Sequence, residues 1–113
     1  LVLALAASGL NGQSFAFVGY LPQDADARRQ RLRELEARSR QEQQSQLFIE
    51  TPYRNAALLA ALTAQLAADT RLSVSCGLTL PGAWTHSARV ADWRRQAPAV
   101  PADVPAVFAI LAR

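Results

Sequence analysis

The amino-acid pattern predicts an α/β domain built on a mixed, five-stranded sheet flanked by helices. Short apolar runs bounded by Gly, Pro and Asn-Gly signals recur along the 113 residues, which reads as strands. Stretches of helical period separate most of these runs, the alternation of an α/β fold. Two strand-like runs, residues 71–77 and 83–89, follow one another with the Leu80-Pro81-Gly82 turn between them and no helix, so the sheet is not wholly parallel.

Each element has a local reason. Residues 1–7 suit a helix that Ser8-Gly9 ends, and Asn11-Gly12 is a turn signal. Residues 14–20 alternate as a strand, stopped by Leu21-Pro22. Asp24 is placed to cap a helix to about Arg40, whose narrow Leu32/Leu35 stripe leaves much of it to solvent. Residues 41–46 read as a polar linker, and residues 46–50 as a second strand. Thr51-Pro52 opens a helix over residues 53–68, with Ala57, Leu58, Ala61, Leu62 and Leu66 facing a core. Residues 71–77 form a third strand with Leu72, Val74 and Cys76 on one face, and residues 83–89 a fourth anchored by Trp84. Residues 90–95 make a short helix with Trp93, and residues 98–105 a Pro-rich loop. Residues 104–111 are apolar enough to be a central, buried strand.

Composition removes several function classes. Half of the chain is apolar, so a packed core is within reach. All twelve basic residues are Arg and Ala is about a fifth of the chain, a bias that lowers what each Arg signifies alone. A net charge of +3 is compatible with nucleic-acid contact without requiring it. One cysteine, Cys76, excludes an internal disulfide and a Cys-based zinc site, and suits a small core residue. The single His86, in a polar strand, reads as a surface residue and offers no metal site or hydrolase triad. Trp84 and Trp93 read as core or interface anchors. The apolar run at residues 1–10 lacks a charged leader region and is too short to span a bilayer.

No Gly-rich phosphate loop is present, because the five glycines are scattered. The informative run is Leu47-Phe48-Ile49-Glu50-Thr51-Pro52-Tyr53-Arg54, which sets a carboxylate, a helix-starting Pro, an aromatic and an Arg at a strand's C-terminal end. In α/β folds ligands bind at that edge. A purely structural account is also open, with Glu50 favouring the helix dipole and Tyr53 packing as a staple. Arg54 opposes the dipole in a first turn, which argues for another job. Arg28, Arg29, Arg31 and Arg33 either form a solvated face paired with Glu, or meet RNA phosphates with salt-sensitive affinity.

Four segments occur in order: Ala6-Ala7-Ser8-Gly9-Leu10, Phe17-Val18-Gly19-Tyr20-Leu21-Pro22, Ala27-Arg28-Arg29-Gln30-Arg31-Leu32 and Phe48-Ile49-Glu50-Thr51-Pro52-Tyr53-Arg54. Together they resemble the "ASGLP … F.GFLP … R..RL..L … FYESPHR" succession of the rRNA cytidine 2′-O-methyltransferases, a branch of the tetrapyrrole methylases. The resemblance covers most of residues 1–80. It implies the C-terminal domain of that two-domain fold, with residues 1–113 as one domain, residues 1–10 a remnant of the inter-domain helix, and the N-terminal domain outside this chain. It implies S-adenosylmethionine as cofactor, bound between the two domains. From this half, Glu50 and Thr51, with Gly77, Leu78 and Thr79 after the next strand, would contact it largely through backbone. It implies rRNA as substrate, with Tyr53, Arg54, Arg28, Arg29, Arg31 and Arg33 as its contacts. The same resemblance implies a homodimer in the cytoplasm and assigns no catalytic base, while the residues themselves offer no metal site and no membrane-spanning run. One departure is plain: the family's "RELTK … HEE" after the third strand is replaced by Gly77-Leu78-Thr79-Leu80-Pro81-Gly82, which keeps Leu-Thr and loses the charges around it. A tetrapyrrole or corrinoid substrate, or a catalytically silent binding paralogue, are the alternatives.

Overall fold

The computed structural model describes residues 14–77, 80–96 and 99–112. The expected helix at residues 1–10, the Asn11-Gly12 turn, Leu78 and Thr79 lie outside the described residues. The chain runs β1 (Phe15–Tyr20), α1 (Ala25–Glu42), β2 (Ser45–Ile49), a single 3-10 turn (Pro52–Arg54), α2 (Asn55–Gln65), β3 (Arg71–Cys76), β4 (Trp84–Arg89), α3 (Val90–Arg95) and β5 (Ala106–Leu111). The five strands form one mixed sheet in the order β1-β2-β5-β3-β4. β1 and β2 are parallel, whereas β5 runs antiparallel to both β2 and β3, so β1, β2 and β3 point the same way. β3 and β4 pair antiparallel across the turn, as the missing helix between them requires.

Register sorts the side chains into two faces. Phe48, Phe108, Val74 and His86 form one row across the sheet, and Leu47, Ala109, Ser73 and Ser87 the next. The first row belongs to the main core, where Leu32 and Leu35 of α1, Leu58, Leu59 and Leu62 of α2, and Val90 and Trp93 of α3 pack against the strands. The three described helices therefore share one face. Phe48 and Phe108 stack there with ring centroids 6.0 Å apart. β5, whose residues 106–111 are all apolar, is the central strand that its composition predicts. Leu72, Val74 and Cys76 share the core-facing side of β3 as expected.

Three boundaries differ from expectation. Residues 41–46 are not a linker: α1 continues to Glu42, Gln43 closes it at φ 52° with its N–H on the Ser39 carbonyl, and β2 starts at Ser45. A Gln-rich run is as good a helix end as a linker, because Gln loses little rotamer freedom in a helix. The helix expected over residues 53–68 begins as a 3-10 turn and ends at Gln65, since Leu66 is extended at ψ 156°. β1 carries a bulge between Phe17 and Gly19, where Gly19 takes φ +73°. Asp24 caps α1 as its position predicts, its carboxylate accepting from Ala27 N at 2.9 Å.

Polar side chains tie the helices together. Glu36 of α1 accepts from Ala67 N at 2.9 Å and from Thr70 Oγ1 at 2.6 Å, fastening the link between α2 and β3. Arg94 of α3 donates to the carbonyls of Thr63 and Leu66, each at 2.7 Å, and so puts a cation at the C-terminal end of α2. Trp93 is buried, with Nε1–H donating to the Leu72 carbonyl at 2.8 Å. His86 is not the surface residue that its polar neighbours suggest. It is half-buried on the helix-covered face and meets Trp93 edge-on at 4.6 Å. Strand alternation fixes this, because His86 stands opposite core residue Val74.

Candidate functional site

Because β1, β2 and β3 run in one direction, their C-terminal ends share one sheet edge, with the start of β5 between the last two. Ligands of open α/β sheets bind beyond such an edge. Strand spacing of 4.7–4.9 Å places the ends of β2 and β3 roughly 10 Å apart, with β5 between them.

At the end of β2, Glu50 is 7% exposed, and its carboxylate accepts from the Thr51 amide at 2.7 Å. Thr51 precedes the 3-10 turn with extended backbone, and its carbonyl accepts from Arg54 N at 2.8 Å. Pro52 occupies the first position of that turn, where its missing N–H is no loss. Tyr53 projects outward, 63% exposed, and the Arg54 guanidinium lies 4.8 Å from its ring centroid. The staple expected of Tyr53 is not made. Arg54 precedes α2 and sits on the ring, outside the first helical turn that would oppose it.

At the end of β3, Gly77 holds φ +60°, a left-handed conformation suited to glycine. Its N–H donates to the Pro105 carbonyl at 2.9 Å, and its own carbonyl accepts from Leu80 N at 2.8 Å. A Cβ at Gly77 would stand 2.9 Å from Cγ1 of Val104. Asn55, at the start of α2, is fully buried and donates through Nδ2 to the Val104 carbonyl at 3.1 Å. The Val104–Pro105 segment is thus pinned from both sides, by Asn55 behind β2 and by Gly77 behind β3. This clamp couples the two strand ends. The buried Oδ1 of Asn55 has no partner among the described residues.

Cys76, one residue before Gly77, is buried; burial pushes its thiol above the ordinary range, and the negative charge of Asp103 raises it further. Cys76 is thus a small residue of the main core, as its apolar run suggests. Among the described residues no three His, Cys, Asp or Glu side chains gather as a metal-holding group. No described helix is long and apolar enough to cross a membrane.

The structure therefore brings Glu50, Thr51 and Gly77 to one edge, beside Tyr53 and Arg54. Leu78 and Thr79, expected alongside them, lie outside the described residues. The four α1 arginines expected to contact RNA, Arg28, Arg29, Arg31 and Arg33, are not brought together as a set. At about 100° per residue they spread around the helix, Arg31 and Arg33 on nearly opposite sides. Arg29 pairs with exposed Asp26 at 3.3 Å and Arg31 with Glu34 at 3.4 Å, both surface pairs worth little. Arg28 is half-buried and Arg33 exposed, and neither guanidinium has a carboxylate partner among the described residues. Asn55 is the site residue that sequence reasoning missed. Its partner lies 49 positions downstream, and no local pattern reports such a contact.

Neither a protein-family model nor a curated protein matches the sequence. Solved structures do. The methyltransferase CobJ aligns with 99% of this chain over 52% of its own, at a TM-score of 0.56 and 11% identity. Uroporphyrin-III-C-methyltransferase from Thermus thermophilus aligns with 97% of this chain over 46% of its own, at a TM-score of 0.52 and 19% identity. The class is a mixed α/β domain with the fold found in about half of each of these two methyltransferases. The chain spans about half the length of each structure it matches.

Proposed function

We propose that this chain is the C-terminal half of an S-adenosylmethionine-dependent methyltransferase, and that it closes a cofactor cleft against an N-terminal domain. The carrying observation is the clamped edge, where Glu50-Thr51 and Gly77 end parallel strands held by one Val104–Pro105 segment. The fold shared with two methyltransferases supports the same reading.

The residues present suit one wall of such a cleft. Glu50 is a buried carboxylate compatible with a cationic sulfonium, and the two strand ends offer backbone groups for a nucleoside. Glu50, Thr51, Gly77, Leu78 and Thr79 would hold the cofactor. When bound, it supplies a sulfonium-activated methyl group for in-line transfer. The chain's part is to fix the edge, exclude water and orient the acceptor oxygen. No side chain here is assigned as the base that takes the acceptor's proton.

For the acceptor we propose a ribose 2′-hydroxyl of rRNA. Tyr53 supports it as an exposed ring at the edge that can stack on a base, with Arg54 beside it. The basic surface of α1 and the four family-like segments support it too. A second reading, a tetrapyrrole or corrinoid acceptor, is favoured by the fold shared with uroporphyrin-III-C-methyltransferase. Homodimerisation and a cytoplasmic location belong to the same proposal. The test is a methyl-transfer assay on the full-length protein, with labelled cofactor and ribosomal subunits from a strain lacking the gene. Label in one rRNA ribose supports the first reading. Label in a tetrapyrrole acceptor instead replaces it, and cofactor binding with no transfer to either class points to a silent paralogue. Residues 1–113 alone are expected to bind the cofactor weakly; micromolar binding by calorimetry refutes the two-walled cleft.

A further inference from the structure

Between α1 and α2 lies an open groove of about 380 Å³, lined by Ala25, Arg28, Arg29 and Leu32 on one side and Ala57, Ala60, Ala61 and Gln65 on the other. α1 follows the C-terminal end of β1 and α2 that of β2, so the groove starts at the candidate edge and runs away from it over the helical layer. From Ala57 to Gln65 it extends about 12 Å at 1.5 Å per residue, long enough for more than one phosphate of an extended strand. Its walls divide by chemistry. α2 contributes a floor of alanines, which have no side chain beyond Cβ and let a polymer backbone come close. α1 contributes two guanidiniums, of which Arg28 has no carboxylate partner among the described residues and Arg29 only the exposed Asp26. No acidic side chain and no aromatic ring lines the groove.

We infer that this groove binds the phosphodiester backbone of an RNA strand leading to or from the methylated nucleotide, with Arg28 and Arg29 on its phosphates; this rests on the RNA reading above. Lacking aromatic platforms, it contacts the backbone and reads no sequence. The four expected RNA contacts on α1 then divide by role. Arg28 and Arg29 line the groove, whereas Arg31 and Arg33 do not. A groove that carries only phosphate contacts contributes register and affinity, leaving base selection to the edge around Tyr53.

The test is fluorescence anisotropy of a labelled single-stranded RNA oligonucleotide with the full-length protein, titrated across salt concentrations. For single strands each phosphate contact contributes about 0.7 to the slope of log K against log salt, so R28Q/R29Q is expected to lower the slope by about 1.4. Carried over one decade from 1 M salt, this is on the order of a 25-fold loss at 0.1 M. R33Q removes the same kind of charge and is expected to keep the parent slope, and R28K/R29K to restore most of the loss. Thermal melts of all variants check that the fold is kept. RNA binding unaltered by R28Q/R29Q overturns the groove alone, as does an equal loss in R33Q. No RNA binding by the parent overturns the groove together with the RNA reading. Displacement of the RNA by a polycarboxylated tetrapyrrole from the parent, but no tetrapyrrole binding by R28Q/R29Q, would reassign the groove to a small anion and overturn the proposal.

Discussion

Replacing Gly77 by Ala tests the clamped edge most directly. Two independent costs follow from the geometry. The backbone at φ +60° is a left-handed conformation that costs an L-residue roughly 1 kcal/mol more than glycine. The new methyl would stand 2.9 Å from Cγ1 of Val104, closer than carbon atoms tolerate. Val104 is β-branched and stiff at χ1, and hydrogen bonds to its own carbonyl and to that of Pro105 hold its backbone, so relief must come by displacement. Overpacking of this kind costs about 1–3 kcal/mol. The sum is about 2–4 kcal/mol, which lowers the melting temperature of a domain of this size by on the order of 15 °C. Urea denaturation of G77A, V104A and the double variant separates the two parts. The double variant is expected to recover the steric share and retain the backbone share, as a coupling of about 1 kcal/mol or more. A G77A protein within 0.5 kcal/mol of the parent, or a double variant with additive losses, would refute the clamp.

Three further expectations concern single groups. N55A should lose about 1–2 kcal/mol, because it leaves the Val104 carbonyl without its donor; cofactor affinity of the full-length protein should fall with it, as calorimetry would show. Asp92 is held below the ordinary carboxylate range, first by its hydrogen bond from Arg95; desolvation opposes this, and the charges of Arg89 and Arg95 with a hydrogen bond from Arg89 lower it further. A carboxyl group lowered on folding stabilises above its unfolded value near 3.8 and loses that contribution as pH falls through its folded value. D92N should therefore be less stable than the parent at neutral pH and equal to it in strong acid, in paired thermal melts. Cys76, buried and with its thiol raised, should react with a thiol reagent at neutral pH only at the rate of unfolding, and at once in denaturant; fast reaction of the folded protein would show the end of β3 to be open.

Much of the architecture is legible in the sequence because it depends on local chemistry. Asp24 marks the start of α1, residues 106–111 read as a central strand, and the β3–β4 pair follows from a turn without a helix. β2 is harder to place, because it opens with Ser45 and Gln46, two polar residues buried by tertiary context, Gln46 bonding to the Gln44 side chain at 2.8 Å. His86 was hidden in the same way, its burial set by the strand opposite and not by its neighbours in sequence. Of the site, Glu50, Thr51 and Gly77 are visible as residues at strand ends. That one segment clamps them is not visible, since Asn55, Gly77 and Val104 are far apart along the chain. The division of the arginines lies between these cases. The helical period already separates Arg31 from Arg33, but only the position of α2 turns Arg28 and Arg29 into the wall of a groove.

The strand order carries a consequence for how the molecule comes into being. β5 is the last of these five strands in chain order, yet it lies at the middle of the sheet, between β2 and β3. Until it emerges, β1 with β2 and β3 with β4 are two separate ribbons. Each has an exposed edge that faces the other across a gap one strand wide. Such edges template pairing with neighbouring chains, and closing the gap is a long-range step that slows folding. A chain released before residue 106 would thus be expected to aggregate as two unsealed halves, with the six residues of β5 serving as the keystone that decides between native protein and precipitate.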